Sequence, residues 1–108
     1  MNATDNALDS LYATLRERKN ADPASSYVAS LHAKGLDAIL KKIGEESAEV
    51  LLAAKGADKP ALVHELADLW FHSLVLMSAK DIGPGEILAE LSRRKGRSGL
   101  DEKTSRNE

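Results

Sequence analysis

No cysteine occurs in the 108 residues, which excludes disulfides, thiolate zinc sites and cysteine nucleophiles and fits a reducing cytoplasm. Neither sign of charge dominates. Fifteen basic residues stand against 17 acidic ones, a formal net charge of -2, so the chain lacks the broad positive field that draws proteins onto nucleic acid. No apolar run approaches the ~20 residues that span a bilayer, and the polar opening MNATDNALDS has neither the charged nor the apolar region of a signal peptide. No membrane partner is expected, and the expected location is cytoplasmic. Phosphate-binding loops of the GxxxxGK[ST] or GxGxxG type are absent, as is any strand pattern to carry them. No serine stands on a recognisable nucleophile elbow.

Aromatic residues make up only 4% of the chain, with 43% hydrophobic and 30% charged residues. That balance, rich in Ala, Leu, Glu and Lys, favours helix, and the length suits one domain with a modest core. The expected fold class is all-α, a bundle of about four to five helices in residues 1–95, followed by a polar, flexible tail over 96–108 that lacks periodicity. Leu8, Leu11, Tyr12 and Leu15 follow helical spacing, with Thr4 or Asp5 available as a cap. The segment NADPASS reads as a turn into a short second helix through Tyr27, Val28 and Leu31, which Gly35 ends in the left-handed region. A third helix is expected from Asp37 to about Lys55. Gly44 lies inside it and suits close approach of a ligand or of another helix. A fourth helix starts near Pro60, and the turn GPG at 83–85 precedes a last helix ending near Lys95.

The fourth helix carries Leu62, Val63, Leu66, Leu69, Trp70, Phe71, Leu74, Val75, Leu76 and Met77, apolar around most of its circumference. It is expected to be buried nearly all round. A chain this small has few neighbours to cover it, so a homodimer or higher homo-oligomer is expected. Tyr12, Tyr27, Trp70 and Phe71 are assigned to the core.

Against this apolar background stand two acid pairs, Glu46 with Glu49 and Glu65 with Asp68, each three residues apart on consecutive helices. Like charges beside leucines lose hydration and repel, so they require a cation, a proton or a paired base. Mg²⁺ takes hard oxygen ligands and keeps sites for water or phosphate oxygens. Four carboxylates exceed the needs of one ion, which leaves room for a second ion or for a general base, an arrangement suited to attack of water on a phosphoanhydride. Lys41 and Lys42 lie within one turn of the acids as candidate phosphate contacts. His72 can hydrogen-bond Asp68 one turn away, whereas His32 and His64 show no spacing to a partner that suggests zinc. The alternative is an adaptor whose acids form ion pairs with Lys41, Lys42 or Lys55 or dock a basic partner.

The segment KKIGEESAEVLLAAK, followed after a spacing of 15 residues from Glu49 by ELAD, resembles the E-E-x-x-E and E-x-x-D signature of the MazG-like all-α nucleoside triphosphate pyrophosphohydrolases. With DPASSYVASL, LADLWFHSLVLM and SGLDEKTSR, nearly the whole chain resembles the phosphoribosyl-ATP pyrophosphatases of histidine biosynthesis. The resemblance implies Mg²⁺-dependent hydrolysis of phosphoribosyl-ATP to phosphoribosyl-AMP and pyrophosphate by a helical homo-oligomer. It places Glu46, Glu49, Glu65 and Asp68 on metal-ligand positions and Glu45 on an additional acid, although the helical wheel turns Glu45 further outward. Lys41, Lys42, Lys103 and Arg106 become candidate contacts to the phosphates or the phosphoribosyl group. Members of the same superfamily that act on ordinary or damaged nucleoside triphosphates would share the acids and lack the phosphoribosyl pocket.

Overall fold

The computed structural model describes residues 3–96, with side chains from residue 7 onward; the tail expected to be flexible lies, from residue 97 on, outside the described residues. Five α-helices and no strand occur among the described residues, in the order α1 (Ala3–Arg18), α2 (Tyr27–Lys34), α3 (Leu36–Lys55), α4 (Lys59–Ala79) and α5 (Pro84–Arg93). The chain is all-α, as its periodicity implies. α1 already includes Thr4 and Asp5 in its first turn, so neither sits at the capping position. α5 ends at Arg93, two residues short of the expected limit.

Short polar side chains set the helix starts. The Asp22 carboxylate accepts from the Ala24 N–H at 3.0 Å and folds the turn that delivers the chain to Ser26, whose hydroxyl caps α2 by accepting from the Ala29 N–H at 3.2 Å. Asp58 does the same for α4 through the Ala61 N–H, with Pro60 in the first turn. Gly35 ends α2 and at once starts α3. Its φ of 102° and ψ of 177° lie outside the left-handed helical well expected for it, in a region open essentially to glycine alone. That extended bend lets two helices meet with no connecting loop.

α4 closes with the Ile82 N–H donating to the Met77 carbonyl at 2.9 Å, while Asp81 takes a positive φ of 57°. Lys19, just beyond α1, donates to the Ser78 carbonyl at 3.2 Å, so α1 and the end of α4 are pinned together.

The hairpin α3–α4 forms the frame, with α1 on α4, α2 on α3 and α5 on α1. Tyr12, Leu15, Val28, Leu31, Ile39, Leu74 and Val75 make the buried core. Tyr12 and Leu15 come from α1, Val28 and Leu31 from α2, Ile39 from the first half of α3, and Leu74 and Val75 from the second half of α4, so α1 and α2 cover that end of the hairpin. At ~1.5 Å per residue, the other half of each long helix runs on past any cover. There Leu51, Leu52, Val63 and Leu66 are exposed, as is Trp70, 59% exposed. The expectation that α4 is buried nearly all round therefore fails within one chain: His72, Leu74, Val75 and Ser78 in its C-terminal half are buried, whereas Val63, Leu66 and Trp70 are exposed.

Candidate active site

The junction between covered and uncovered halves of the hairpin is where the acids stand. On α3, Glu46 is buried, 8% exposed, and its carboxylate lies 3.4 Å from the Lys42 ammonium one turn earlier. Glu49 is exposed, one turn nearer the open end, and Glu45 is exposed on the flank, as its place on the wheel implies. Lys41 is exposed as well. Lys103 and Arg106 lie outside the described residues.

On α4, Glu65 and Asp68 are half-buried, and with His64 they form a group whose potential ligand atoms all lie within 4.8 Å of one another. Glu46 and Glu49 do not belong to that group. The His64 Nε2 lies 3.3 Å from an Asp68 oxygen, a helical i, i+4 pairing that was present in the spelling HELAD and that a search for zinc spacing passes over. Two carboxylates of different helical register, one shared with an exposed imidazole, suit a hard divalent cation such as Mg²⁺ better than a soft one.

His72 occupies the next turn of α4. The expected hydrogen bond to Asp68 is made, but to its backbone: Nδ1 lies 2.8 Å from the Asp68 carbonyl, and a carbonyl only accepts, so Nδ1 carries the proton. The other ring nitrogen, Nε2, then accepts from the Tyr27 hydroxyl at 2.8 Å. His72 is 6% exposed, held edge-on by Tyr27 and by Phe71. Tyr27 itself is 51% exposed, and so is not the core residue its aromatic ring suggested, and Trp70 is likewise open. Tyr12 is buried and Phe71 packs against the core, in keeping with their assignment.

The Tyr27 hydroxyl links the two acid-bearing helices electrostatically. Its pKa is raised, first by burial and then, against the opposing pull of Lys42, by the negative charges of Glu46, Glu45 and Asp68. Lys42 in turn is held above the ordinary lysine value, first by Tyr27 and, against partial burial, by Glu46 and Glu45. One hydroxyl therefore feels carboxylates from α3 and from α4 together. Sequence spacing could not reveal this, because Tyr27 arrives from α2 by way of the Gly35 bend.

The chain matches the family model described as phosphoribosyl-ATP pyrophosphohydrolase over residues 8–95. Among similar proteins, the phosphoribosyl-ATP pyrophosphatase of Geobacter metallireducens is 54% identical over 98% of this chain and 97% of its own length. That of Geobacter sulfurreducens is 52% identical over the full length of both. That of Azoarcus sp. is 58% identical over 87% of this chain and 88% of its own. A family match across most of the chain, together with relatives at this identity over nearly all of it, establishes that the chain belongs to the phosphoribosyl-ATP pyrophosphohydrolase family, hydrolases of a phosphoanhydride bond.

Proposed function

We propose that this protein hydrolyses phosphoribosyl-ATP between its α and β phosphates, giving phosphoribosyl-AMP and pyrophosphate, the second step of histidine biosynthesis, in a Mg²⁺-dependent reaction. The observation that carries the reading is the pairing of family membership over residues 8–95 with acids from two adjoining helices at one end of the buried core: Glu46 at 8% exposure, and Glu65 and Asp68 in one tight group with His64. Glu46, Glu49, Glu65 and Asp68 are the residues that would hold the metal. Bound Mg²⁺ would neutralise charge on the phosphate oxygens and lower the pKa of water.

The chain's own residues do the rest. Lys42, fixed beside Glu46, and Lys41 supply positive charge for the phosphates, and the tail residues Lys103 and Arg106 are assigned to the same work. Glu45, exposed on the flank, is available to take the proton from the attacking water. Water adds to phosphorus, the anhydride oxygen leaves with the departing phosphate group, and the proton passes to a carboxylate and then to solvent. The enzyme is assigned to the cytoplasm as a homodimer or higher homo-oligomer, since no described helix is long and apolar enough to cross a membrane and the hairpin leaves Leu51, Leu52, Val63 and Trp70 uncovered.

The test is a Mg²⁺ titration of pyrophosphate release from phosphoribosyl-ATP, with dATP and other nucleoside triphosphates in parallel. Release should require the metal and favour phosphoribosyl-ATP. Equal turnover of dATP would reassign the chain to general nucleotide clearance, and no release from any of them would end the enzymatic reading.

A further inference from the structure

Tyr27 is an anomaly in the fold: an aromatic residue half open to solvent that spends its hydroxyl on a buried histidine of another helix. Packing alone does not need that hydroxyl, since Val28, Ala29 and Leu31 already bury α2 against the bundle. The hydroxyl instead completes a chain of two hydrogen bonds, from the Tyr27 O–H to His72 Nε2 and from His72 Nδ1–H to the carbonyl of Asp68, each at 2.8 Å. The chain ends on the backbone of an acid assigned to metal binding. A buried ring with both nitrogens engaged cannot turn, so the peptide at Asp68 is held in a fixed relation to α2. Within α2 the first turn is fixed locally, the Ser30 hydroxyl donating to the Tyr27 carbonyl and the Ser26 hydroxyl accepting from the Ala29 N–H.

We infer that Tyr27 is a positioning residue, which acts through His72 to set the Asp68 end of the acid group on α4 against Glu46 on α3. This rests on the proposed phosphoanhydride hydrolysis and deepens it. The site sits where α3 and α4 lose the cover of α1 and α2, and the Tyr27–His72 bond ties α4 to α2 one turn from Asp68. Partners that orient metal-binding groups from behind are typically worth about 10- to 100-fold in metal affinity or activity.

Tyr27→Phe keeps the ring and removes the bond. Its kcat for phosphoribosyl-ATP is expected to fall about tenfold or more with KM changed less than about threefold, because Tyr27 is not expected to touch the substrate. Its affinity for Mn²⁺, measured calorimetrically without substrate, should fall in parallel while the helical circular dichroism stays as in the wild type. His72→Asn keeps a donor near the Asp68 carbonyl and loses the acceptor for Tyr27, so adding Tyr27→Phe to it should cost nothing further. Nitrogen-15 spectra of the wild type should show His72 protonated at Nδ1.

Unchanged kcat and Mn²⁺ binding in Tyr27→Phe would overturn the inference, as would a rise in KM alone or a full additional loss in the double variant, either of which means direct contact with substrate. Absence of turnover in the wild type would instead strike the functional reading. The Mn²⁺ measurement would still decide the role of Tyr27.

Discussion

Gly35 and Gly44 stand nine residues apart and should respond to alanine with opposite signs. A Cβ at either position meets nothing within 4 Å, so the difference comes from the backbone alone. Gly35→Ala forces an L side chain into φ 102°, ψ 177°, at a cost on the order of 1–3 kcal/mol, and thermal unfolding should show a clear fall in Tm. Gly44→Ala replaces glycine within a helix and should stabilise by about 0.5–1 kcal/mol. If the more stable Gly44→Ala enzyme is also slower, the glycine is kept for close approach of a ligand. Among the acids, Glu46→Gln or Asp68→Asn should reduce turnover by about 10²-fold or more, since a lost hard ligand removes several kcal/mol of charge stabilisation. Steady-state kinetics beside a melting curve will separate this from unfolding. The melting curve should move little, because Lys42 already offsets the Glu46 charge. Wild-type turnover in either variant would remove that acid from the site.

At the scale of the elements, α2 has only eight residues and depends on tertiary contacts for its existence. One of them is sensitive to pH. His32 on α2 donates from Nε2 to the Ser78 hydroxyl at 3.2 Å, and that hydroxyl donates to the Val75 carbonyl within α4. Burial, and then the charge of Lys19, lowers the His32 pKa in the fold. The unfolded chain takes up this proton near its ordinary value of about 6.5 and the folded chain resists it. Stability from His32 is therefore complete above that pH and declines as pH falls below it toward the folded value. Melting curves from pH 7.5 down to 5 should fall less steeply in His32→Gln than in the wild type; equal slopes would assign the acid sensitivity elsewhere. The helices themselves, and the acids on α3 and α4, were legible in the sequence because each follows a local period. His64 beside Asp68 was legible too, at i, i+4, but only to a reader looking for a shared carboxylate. Tyr27 over His72 was not, for that contact depends on the angle at Gly35, which no periodicity records.

Across the whole molecule, the uncovered half of the hairpin explains why the burial expected of α4 is incomplete within one chain, and a second copy is the cover proposed for it. Leu52 is 70% exposed, Leu51 69% and Val63 56%. A groove of about 290 Å³ lined by Trp70, Met77, Ile87, Leu88 and Leu91 continues the apolar surface onto α5. Periodicity marks these positions as apolar without saying whose atoms cover them, so the sequence reads them as core whether the cover is this chain or its twin. Full burial of a single leucine or valine contributes about 1.5–3 kcal/mol, and leaving so many in water would favour association even after the entropy of joining two chains is met. A charge placed in that surface should undo it, since the partner would have to bury the charge unpaired. Leu52→Glu with Val63→Glu is expected to reduce the mass measured by light scattering at micromolar concentration to that of one chain. Circular dichroism of the isolated chain should keep its helical signal, because the core of Leu15, Ile39, Leu74 and Val75 lies at the other end of the hairpin. If the wild type already scatters as a monomer, the oligomer is excluded and the open hairpin end must be accounted for by another partner. If the double variant stays associated, the contact lies instead along the groove beside α5, and a charge at Leu88 becomes the change that separates the chains.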